Sequence, residues 1–358
     1  MDVRKPLHVD GAEDLYYQIE PLRHFDINSA EPIKIRPFKP KYHLTMGMSH
    51  LVSMPGPIYI QSAIQSATLS EFLEMDKTYL ERIRLRKQLI EERPQDVMAA
   101  NPIIGPAVLE LYTWVVGTYL PQRFPTVYAI VTSSKLQSRP QLKNLATDSL
   151  LPLTASSVEE ALRILGSNID TDFLFLFPTS DPANGERYKL EGFITCFPSG
   201  FRTSSKLNML LKDIHGPVPG YEEKLERSMD RFFATLPVGK IIKRVNWSIT
   251  TTPDLFLLGG THLTAEKFEE AATQQDKVDV EATVMRCERQ TVHRLPKTKA
   301  IVFSYKTYQY SLKELKEEGC AEDLIRAIDG LGEGNVPGMS VYKRQVVWGS
   351  VVKDYLSS

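Results

Sequence analysis

Cysteine is scarce in this chain, and the few cysteines are far apart. The 358 residues contain only Cys196, Cys287 and Cys320, with no CxxC pair. Disulfide frameworks and structural zinc sites both need closely spaced cysteines. The sequence therefore argues against both kinds of site, and we expect a reducing compartment.

An excess of charge of one sign is also missing. The 43 Lys and Arg residues are matched by 44 Asp and Glu residues, so the chain as a whole has no general attraction to nucleic acid or anionic lipid. The longest apolar run, AVLELYTWVVGTYL from Ala107, contains Glu110 and is shorter than the roughly 20 residues that cross a bilayer. Acidic residues also stand near the N-terminus, where a signal peptide needs an apolar core. We therefore expect no membrane span and a cytoplasmic protein.

Motifs of several enzyme classes are absent as well. The chain has no GxxxxGK[ST] phosphate loop, no HExxH zinc pair and no GxSxG elbow. GLGEGN at Gly330 follows a predicted helix and not a strand, so it predicts a loop and not a dinucleotide site. These absences disfavour nucleotide-binding, zinc-hydrolase and serine-hydrolase functions.

The composition is that of a folded protein, since 42% of the residues are hydrophobic and 24% are charged. Residues 1 to about 66 are rich in proline and predict an extended arm. Thr68 and Glu71 form a capping box before an amphipathic helical segment. A second helix is predicted to begin at Pro106 and to end before Pro121.

The middle of the chain predicts an antiparallel sheet. Residues 122 to 155 have a poor pattern and suggest a connection across the surface. Helical segments between Ser205 and Leu236, and a helical insert around Thr264 to Thr273, separate five strand-like runs. The first two runs are joined by the turn-forming SDPANGERY and favour a hairpin. The runs are FLFLF from Phe173, YKLEGFITCF from Tyr188, KIIKRVNWSITTT from Lys240, EATVMRCERQTVHRL from Glu281 and KAIVFSYKTYQY from Lys299.

Two strands, a helical stretch and three strands predict an α+β fold with helices packed on a five-stranded antiparallel sheet, in the element order of a PAS-like domain. A capped helix from Ser311 and a tail helix from Pro337 are expected to dock on this core. We expect an N-terminal arm with helices over residues 1–150, the PAS-like core over 151–312 and a C-terminal helical extension over 313–358.

One histidine is predicted at the end of a helix. The apolar positions before it are helical in spacing, and Gly216 and Pro217 follow His215. A histidine there can interact with the negative end of the helix dipole. It can also bind a metal, since a free carbonyl of the last turn accepts one ring N–H and the other nitrogen then presents its lone pair. Both interpretations stay open at this point.

Two of the predicted strands carry unusual polar residues. RVNWS puts Arg244, Asn246 and Ser248 on one side and Trp247 in the core, so Arg244 and Asn246 lie either on the surface or on the floor of a pocket. MRCERQTVHRL has no apolar face, which fits a solvated edge strand or a strand that lines a cavity for a polar or anionic ligand. One face of this strand carries Arg286, Glu288, Gln290 and Arg294. The other face carries Cys287, Arg289, Thr291 and His293.

Five segments between Lys39 and Tyr308 together resemble the haem-dependent oxidative N-demethylases and their relatives. Five such segments in the same order are a fairly specific signal. The segments are KPKYHLTMGMSHL, EFLEMDKTYLERIRLRKQLI, CFPS with the following KL and IHGPVPGY, RVNWS, and ERQTVHRLPKTKAIVFSYKTY.

The resemblance implies a PAS-like core that holds haem b and uses dioxygen to oxidise an N-methyl group of a small secondary amine such as dimethylamine, with release of formaldehyde. It implies separate flavin and iron–sulfur electron donors, and tetrahydrofolate as a possible one-carbon acceptor. It makes His215 the axial ligand of the iron, with Cys196 as the fallback ligand. Arg244 and Gln290 become the catalytic hydrogen-bond donors. The implied cofactor or folate contacts are Arg244, Asn246, Glu288, Arg289, Gln290 and Arg294.

The chain also departs from the family pattern. Gly200 and Phe201 stand where a tryptophan is expected, Asn208 replaces a glycine, and KTK at Lys297 replaces a turn that contains glycine. The insert and the C-terminal extension resemble fungal members, whose substrates can differ. Two alternatives to the enzyme stay open: a haem-binding PAS-like sensor without turnover, and a haem-free module that binds a folate-like metabolite.

Overall fold

The computed structural model describes residues 14–45, 65–132, 139–181, 185–263 and 278–358. Its strands form two antiparallel sheets, and all five predicted strands are confirmed. The predicted turn at 182–184 and the insert at 264–273 lie outside the described residues. The strands are β1 Gln65–Ala67, β2 Met98–Ala100, β3 Tyr128–Val131, β4 Gln141–Asn144, β5 Ser149–Pro152, β6 Asp172–Asp181, β7 Gly185–Ile194, β8 Ile241–Thr250, β9 Val284–Arg294 and β10 Ile301–Ser311.

The larger sheet has seven strands in the order β1-β8-β9-β10-β6-β7-β2. The five long strands in the middle are those predicted from the sequence, and β6 and β7 form the expected hairpin. The predicted sheet of five strands was too small, because β1 and β2 extend its two edges. These two strands are only three residues long, too short for a period-2 pattern to stand out. The predicted domain bounds stay a prediction.

Residues 122–155 do not form the plain surface connection that we predicted. They contain β3, β4 and β5, which pair in that order as a three-stranded sheet. The side chain of Asn144 is buried and donates a hydrogen bond to the hydroxyl of Tyr79 at 2.8 Å. The sequence did not predict this sheet, because its strands are only four residues long and carry few β-branched residues.

Helices surround the larger sheet. The helix at Pro106 was predicted to end before Pro121, but it continues through a π-helical turn, Val115–Tyr119, to Arg123. The irregular turn allows the chain to pass a residue that cannot donate an N–H. The helices are α1 Tyr79–Glu92, α2 Pro94–Val97, α3 Gly105–Trp114, α4 Leu120–Arg123, α5 Val158–Asn168, α6 Leu211–His215, α7 Tyr221–Lys224, α8 Glu226–Thr235, α9 Leu312–Glu317, α10 Ala321–Asp329, α11 Met339–Tyr342 and α12 Gln345–Ser357.

The stretch Pro102–Arg123 is long and apolar enough to cross a membrane by length and composition, contrary to the expectation from its interrupted apolar run. In this structure 61% of its most apolar window is buried inside the protein. Val108, Leu111 and Val115 on this stretch are completely buried in the main hydrophobic core. Such burial is typical of the core helix of a globular protein.

The two faces of the larger sheet are packed differently. On one face, side chains of α6, α7 and α8 pack on Leu190, Ile242 and Val292. On the other face, the C-terminal helices α10 and α12 cover Val245, Trp247 and neighbouring residues, which confirms Trp247 as a core residue. A cavity remains on the first face, between the sheet and the helices.

A buried ion pair connects helix α1 to the sheet beside this cavity. Arg86 and Asp172 are at most 1% exposed, and their Nη1 and Oδ1 atoms are 2.7 Å apart. Asp172 also accepts hydrogen bonds from the backbone N–H groups of Cys196 and Phe197, both at 2.8 Å. The pair therefore holds the first residues of the CFPS segment, and the residues that follow, Ser199 and Phe201, line the cavity.

Removing the arginine should leave an uncompensated buried charge. We expect Arg86→Ala to lower the free energy of unfolding by about 3–5 kcal/mol in urea denaturation. The matched control is Arg163→Ala, which breaks an exposed ion pair with Glu159 and should change the same quantity by less than about 1 kcal/mol. Equal effects of the two variants would contradict the anchoring role of Arg86.

Candidate functional site

The cavity has a volume of about 270 Å³ and lies between the larger sheet and helices α6 to α8. Its helical side is apolar, with Leu211, Ile214, Met229 and Phe233 among the lining residues. Its floor on the sheet is polar. An enclosed apolar space with a few converging polar groups is the usual form of a site for a cofactor or small molecule.

The floor consists of alternate residues of β8 and β9. Because the two strands are antiparallel neighbours, Arg244 lies opposite Gln290, Asn246 opposite Glu288, and Ser248 opposite Arg286. All six line the cavity, as strand alternation predicted. Strand β9 lies between β8 and β10, so the interpretation as a solvated edge strand was wrong, and Arg286, Glu288 and Gln290 of this strand line the cavity.

Arg244 is the floor residue with the fewest partners. Its Nε atom is buried without a hydrogen-bond partner, and no ion pair to its guanidinium occurs among the residues that the structure describes. The residue is half-buried, so the Nε atom is the part of the guanidinium that has lost its hydration without replacement. The side chain is therefore available for an acceptor group of a ligand in the cavity.

Glu288 and Gln290 form a hydrogen-bonded pair on the same floor. The Gln290 amide donates from Nε2 to Oε2 of Glu288 at 2.8 Å, and both residues are less than 9% exposed. No cation within the described ranges lies at ion-pair distance from Glu288. Burial lowers the pKa values of Lys206 and Lys343, and the negative charge of Glu288 opposes part of that lowering. The pair offers a carboxylate and a second amide N–H to the cavity.

His215 lies at the end of helix α6, as predicted, and faces the cavity. Its Nδ1 is 2.8 Å from the carbonyl oxygen of Leu211, one helical turn earlier, and its ring stacks on Tyr221 with 4.9 Å between the ring centroids. Burial lowers the pKa of His215 to about 4, with further lowering by the charges of Lys206 and Arg244. The ring is therefore neutral at pH 7, and a proton on Nδ1 leaves the lone pair on Nε2.

Arg289 and Arg294 do not line the cavity, so our prediction that they belong to one polar cluster with Arg244 and Glu288 was wrong. Arg289 points to the opposite face of the sheet, where its Nη2 is 3.3 Å from a carboxylate oxygen of Glu74. Arg294 is near the end of β9, where its side chain donates to the carbonyl oxygens of Leu236 and Lys299, both at 2.8 Å. Strand alternation excludes Arg289 from the floor, and competing backbone acceptors hold Arg294 away from it.

Cys196 also does not line the cavity. The residue is fully buried, and burial raises the pKa of its thiol to about 12. Its side chain therefore has no access to a ligand in the cavity. The structure thus corrects the alternative in which Cys196 is the ligand of the iron.

Three further cavity residues were not predicted from the sequence. Lys206 lies in a 3-10 turn, His262 in a loop and Lys343 at the end of α11. The Nδ1 of His262 is 3.0 Å from the hydroxyl oxygen of Thr261, and burial lowers the pKa of His262 to about 4. None of the three belongs to a periodic pattern, so only the tertiary structure brings them to the floor residues.

The backbone explains two departures from the family pattern. Asn208 has φ of 71° and Lys299 has φ of 61°, a left-handed conformation that glycine adopts without strain. These are the positions where the resemblance led us to expect a glycine or a turn that contains one. Asparagine is the residue that best replaces glycine there, whereas lysine is unusual.

The backbone at Gly200 requires a glycine. Its φ is 77°, and a Cβ atom would meet the hydroxyl oxygen of Thr261 at 1.6 Å. The same hydroxyl group donates to the carbonyl oxygen of Ser199 at 3.0 Å. This close packing of two loops places His262 beside Ser199 and Phe201 at the cavity wall.

The fold and the site define a class: a mixed α+β protein with an enclosed cavity, a neutral histidine and an unpaired guanidinium, suited to a cofactor or small ligand. Residues 63–353 match the family described as haem-dependent oxidative N-demethylase, alpha subunit-like. The match covers most of the chain, so the chain belongs to this family. The resemblance stated from the sequence is confirmed, and the family name indicates a haem-dependent oxidoreductase.

The histidine of β9, His293, lies on the face of the sheet opposite to the cavity and is fully buried. Neither ring nitrogen has a hydrogen-bond partner, and the ring packs against Tyr16, Phe72 and Trp114. Burial lowers the pKa of His293 to about 3. This environment shows that His293 belongs to the core and not to the site.

The buried histidine should make the protein sensitive to acid. Between about pH 6.5 and pH 3 the unfolded chain binds a proton at His293 and the folded chain does not, so acid favours unfolding. We expect the free energy of unfolding to fall by up to about 1.4 kcal/mol per pH unit from this residue, measured by urea denaturation. His293→Leu should flatten the dependence, whereas His24→Ala, at an exposed position, should not. An unchanged slope in His293→Leu would contradict the assignment.

Proposed function

We propose that the cavity holds haem b, with His215 as the axial ligand, and that the chain catalyses the oxidative N-demethylation of a small secondary amine. The observation that carries the proposal is the fixed, neutral imidazole of His215, whose Nδ1 is bound to Leu211 while Nε2 is left for iron. The cavity floor supplies the polar groups that such a cofactor needs at its edge.

The residues of the cavity fit haem. No cluster of three or more His, Cys, Asp or Glu side chains that could hold a bare metal ion occurs within the described ranges. Haem brings its own four nitrogen ligands, so one histidine is enough. The unpartnered guanidinium of Arg244 suits a propionate carboxylate, since guanidinium pairs with carboxylates in bidentate fashion. Asn246, opposite Glu288 on the floor, is proposed as a second contact of the cofactor's polar edge.

When bound, haem would supply the activation of dioxygen. In the overall reaction the amine, dioxygen, two electrons and two protons give the demethylated amine, formaldehyde and water. A C–H bond of the methyl group is replaced by C–O, and the resulting carbinolamine then breaks its C–N bond. We propose a separate flavin and iron–sulfur protein as the source of the electrons.

The residues of the chain would position the reactants and move protons. Arg244 and Gln290 are proposed as catalytic residues, because both line the cavity and their N–H groups could donate hydrogen bonds to dioxygen. Glu288 could accept a proton at the carboxylate that Gln290 orients. The apolar side formed by α6 and α8 would exclude water from the amine.

Other parts of the proposal rest on the fold and the resemblance. The five long strands run in the spatial order β8-β9-β10-β6-β7, and this arrangement supports a PAS-like core. Dimethylamine as the substrate, a fungal-type family member and a cytoplasmic location are proposed from the resemblance and composition. Glu288 as a cofactor contact, and tetrahydrofolate as acceptor of the one-carbon unit, stay predictions from the resemblance alone.

The axial ligand can be tested by absorption spectroscopy. Protein expressed with added haem precursor should show a Soret band, and His215→Ala should abolish or strongly shift it while the far-UV circular dichroism stays near wild type. His262→Ala tests the other cavity histidine, and His24→Ala is the control. A wild-type protein without a Soret band would refute haem binding, and loss of the band only in His262→Ala would move the ligand to His262. A Soret band without amine-dependent formaldehyde, when a suitable reductase is supplied, would favour the sensor.

The role of Arg244 is tested by the retention of haem. Arg244→Leu removes the partner proposed for a propionate, so haem transfer to excess apomyoglobin should become about 10–100-fold faster. Arg231→Leu, at an exposed position on α8, should leave the transfer rate unchanged. If both variants release haem at the wild-type rate, Arg244 does not hold the cofactor.

A further inference from the structure

The charges around the cavity are unequal. Glu288 is the one carboxylate among the described residues that line it. The cationic lining residues of the same part of the chain are Lys206, Arg244, Arg286 and Lys343. Because this environment is cationic, it is unfavourable for a ligand whose only charge is an ammonium group.

Two of the four cations are already occupied by groups of the protein. Arg286 donates to the carbonyl oxygens of Phe197 and Leu255 at 2.7 and 3.1 Å. Lys343 donates to the carbonyl oxygen of Trp247 and lies 3.4 Å from Oδ1 of Asn246. These contacts use carbonyl and amide oxygens, so they fix the two side chains without neutralising their charge.

Lys206 differs from these two residues. Its Nζ lies 3.9 Å from the ring centroid of Phe201, and no hydrogen bond or ion pair to this group occurs among the described residues. Burial lowers the pKa of Lys206 to about 8, while the charge of Glu288 opposes this shift. The ammonium group is therefore mostly charged at pH 7, lies near Glu288 and has no anionic partner.

Glu288 is in the complementary situation. Its carboxylate accepts the hydrogen bond of Gln290 but has no cation at ion-pair distance within the described ranges. The cavity thus presents an unpaired carboxylate and an unpaired ammonium group to the same space. A small zwitterion could satisfy both, with its own ammonium at Glu288 and its carboxylate at Lys206.

We propose that the amine recognised in this cavity is an N-methyl amino acid, with Lys206 as the residue that selects its carboxylate. The inference deepens the proposed function and rests on it, because the methylated amine is the group that the reaction would change. Dimethylammonium could pair with Glu288 alone and would meet Lys206 as a repulsive charge, so the inference replaces the dimethylamine that the resemblance implied. An amine with a carboxylate one or two carbons away uses both groups.

The competing explanation assigns all the free cations to the carboxylates of haem. In that case Lys206 would help to retain the cofactor and would not discriminate between amines. The two explanations differ in a measurable quantity, which is the dependence of amine selectivity on Lys206.

The test compares N-methylglycine, its amide N-methylglycinamide and dimethylamine by isothermal titration calorimetry on the full chain, with and without haem. N-methylglycine should bind about 10–100-fold more tightly than either cation. Lys206→Met should remove this preference, Lys206→Arg should restore most of it, and Glu288→Gln should weaken binding of all three amines. Lys212→Met, an exposed lysine of α6 that does not line the cavity, is the matched control.

The outcomes separate this inference from the proposed function. A Soret band together with equal binding of the three amines would overturn the zwitterion and leave haem binding intact. A preference for N-methylglycine in a chain that takes up no haem would support the inference and remove the demethylase. The inference would be overturned if the preference persisted in Lys206→Met, or if none of the three amines bound. Faster haem loss in Lys206→Met with unchanged amine selectivity would favour the competing explanation.

Discussion

Buried polar groups need hydrogen-bonding or charged partners, and the rest of the structure depends on this constraint. Strands β8 and β9 direct Arg244, Asn246, Glu288 and Gln290 toward the cavity, where Glu288 and Gln290 are buried and the other two are half-buried. Some of these groups bind each other, as Gln290 does with Glu288. The guanidinium of Arg244 keeps an unpartnered nitrogen, which an acceptor group of a ligand would satisfy.

The opposite face of the same sheet carries charged side chains that pair within the protein. Lys306 lies between the carboxylates of Asp76 and Asp170, at 2.7 and 3.2 Å, and Arg82 also pairs with Asp170. Charges on that face are therefore matched within the protein, whereas charges on the cavity face are not. The contrast between the two faces of one sheet is a stronger argument for a binding site than the cavity volume alone.

The loops that close the cavity depend on backbone conformations that few residues tolerate. Gly200 has a positive φ and packs directly against Thr261, which places His262 at the wall. Asn208 follows the 3-10 turn of Lys206 and also has a positive φ. Neither Gly200 nor Asn208 lines the cavity, so departures from the family pattern at these positions change the loops around the cavity and not its lining.

The sequence by itself determined the five long strands, the alternation of polar residues on β8 and β9, and the helix end at His215, because each depends on local periodicity or capping. It also determined the family, through motifs spread over most of the chain. Only the tertiary structure decided that β9 is an internal strand, that Arg289 and Arg294 have other partners, and that Lys206, His262 and Lys343 join the site. The physical reason is that these facts depend on pairing and packing between residues far apart in the chain, which no local pattern records.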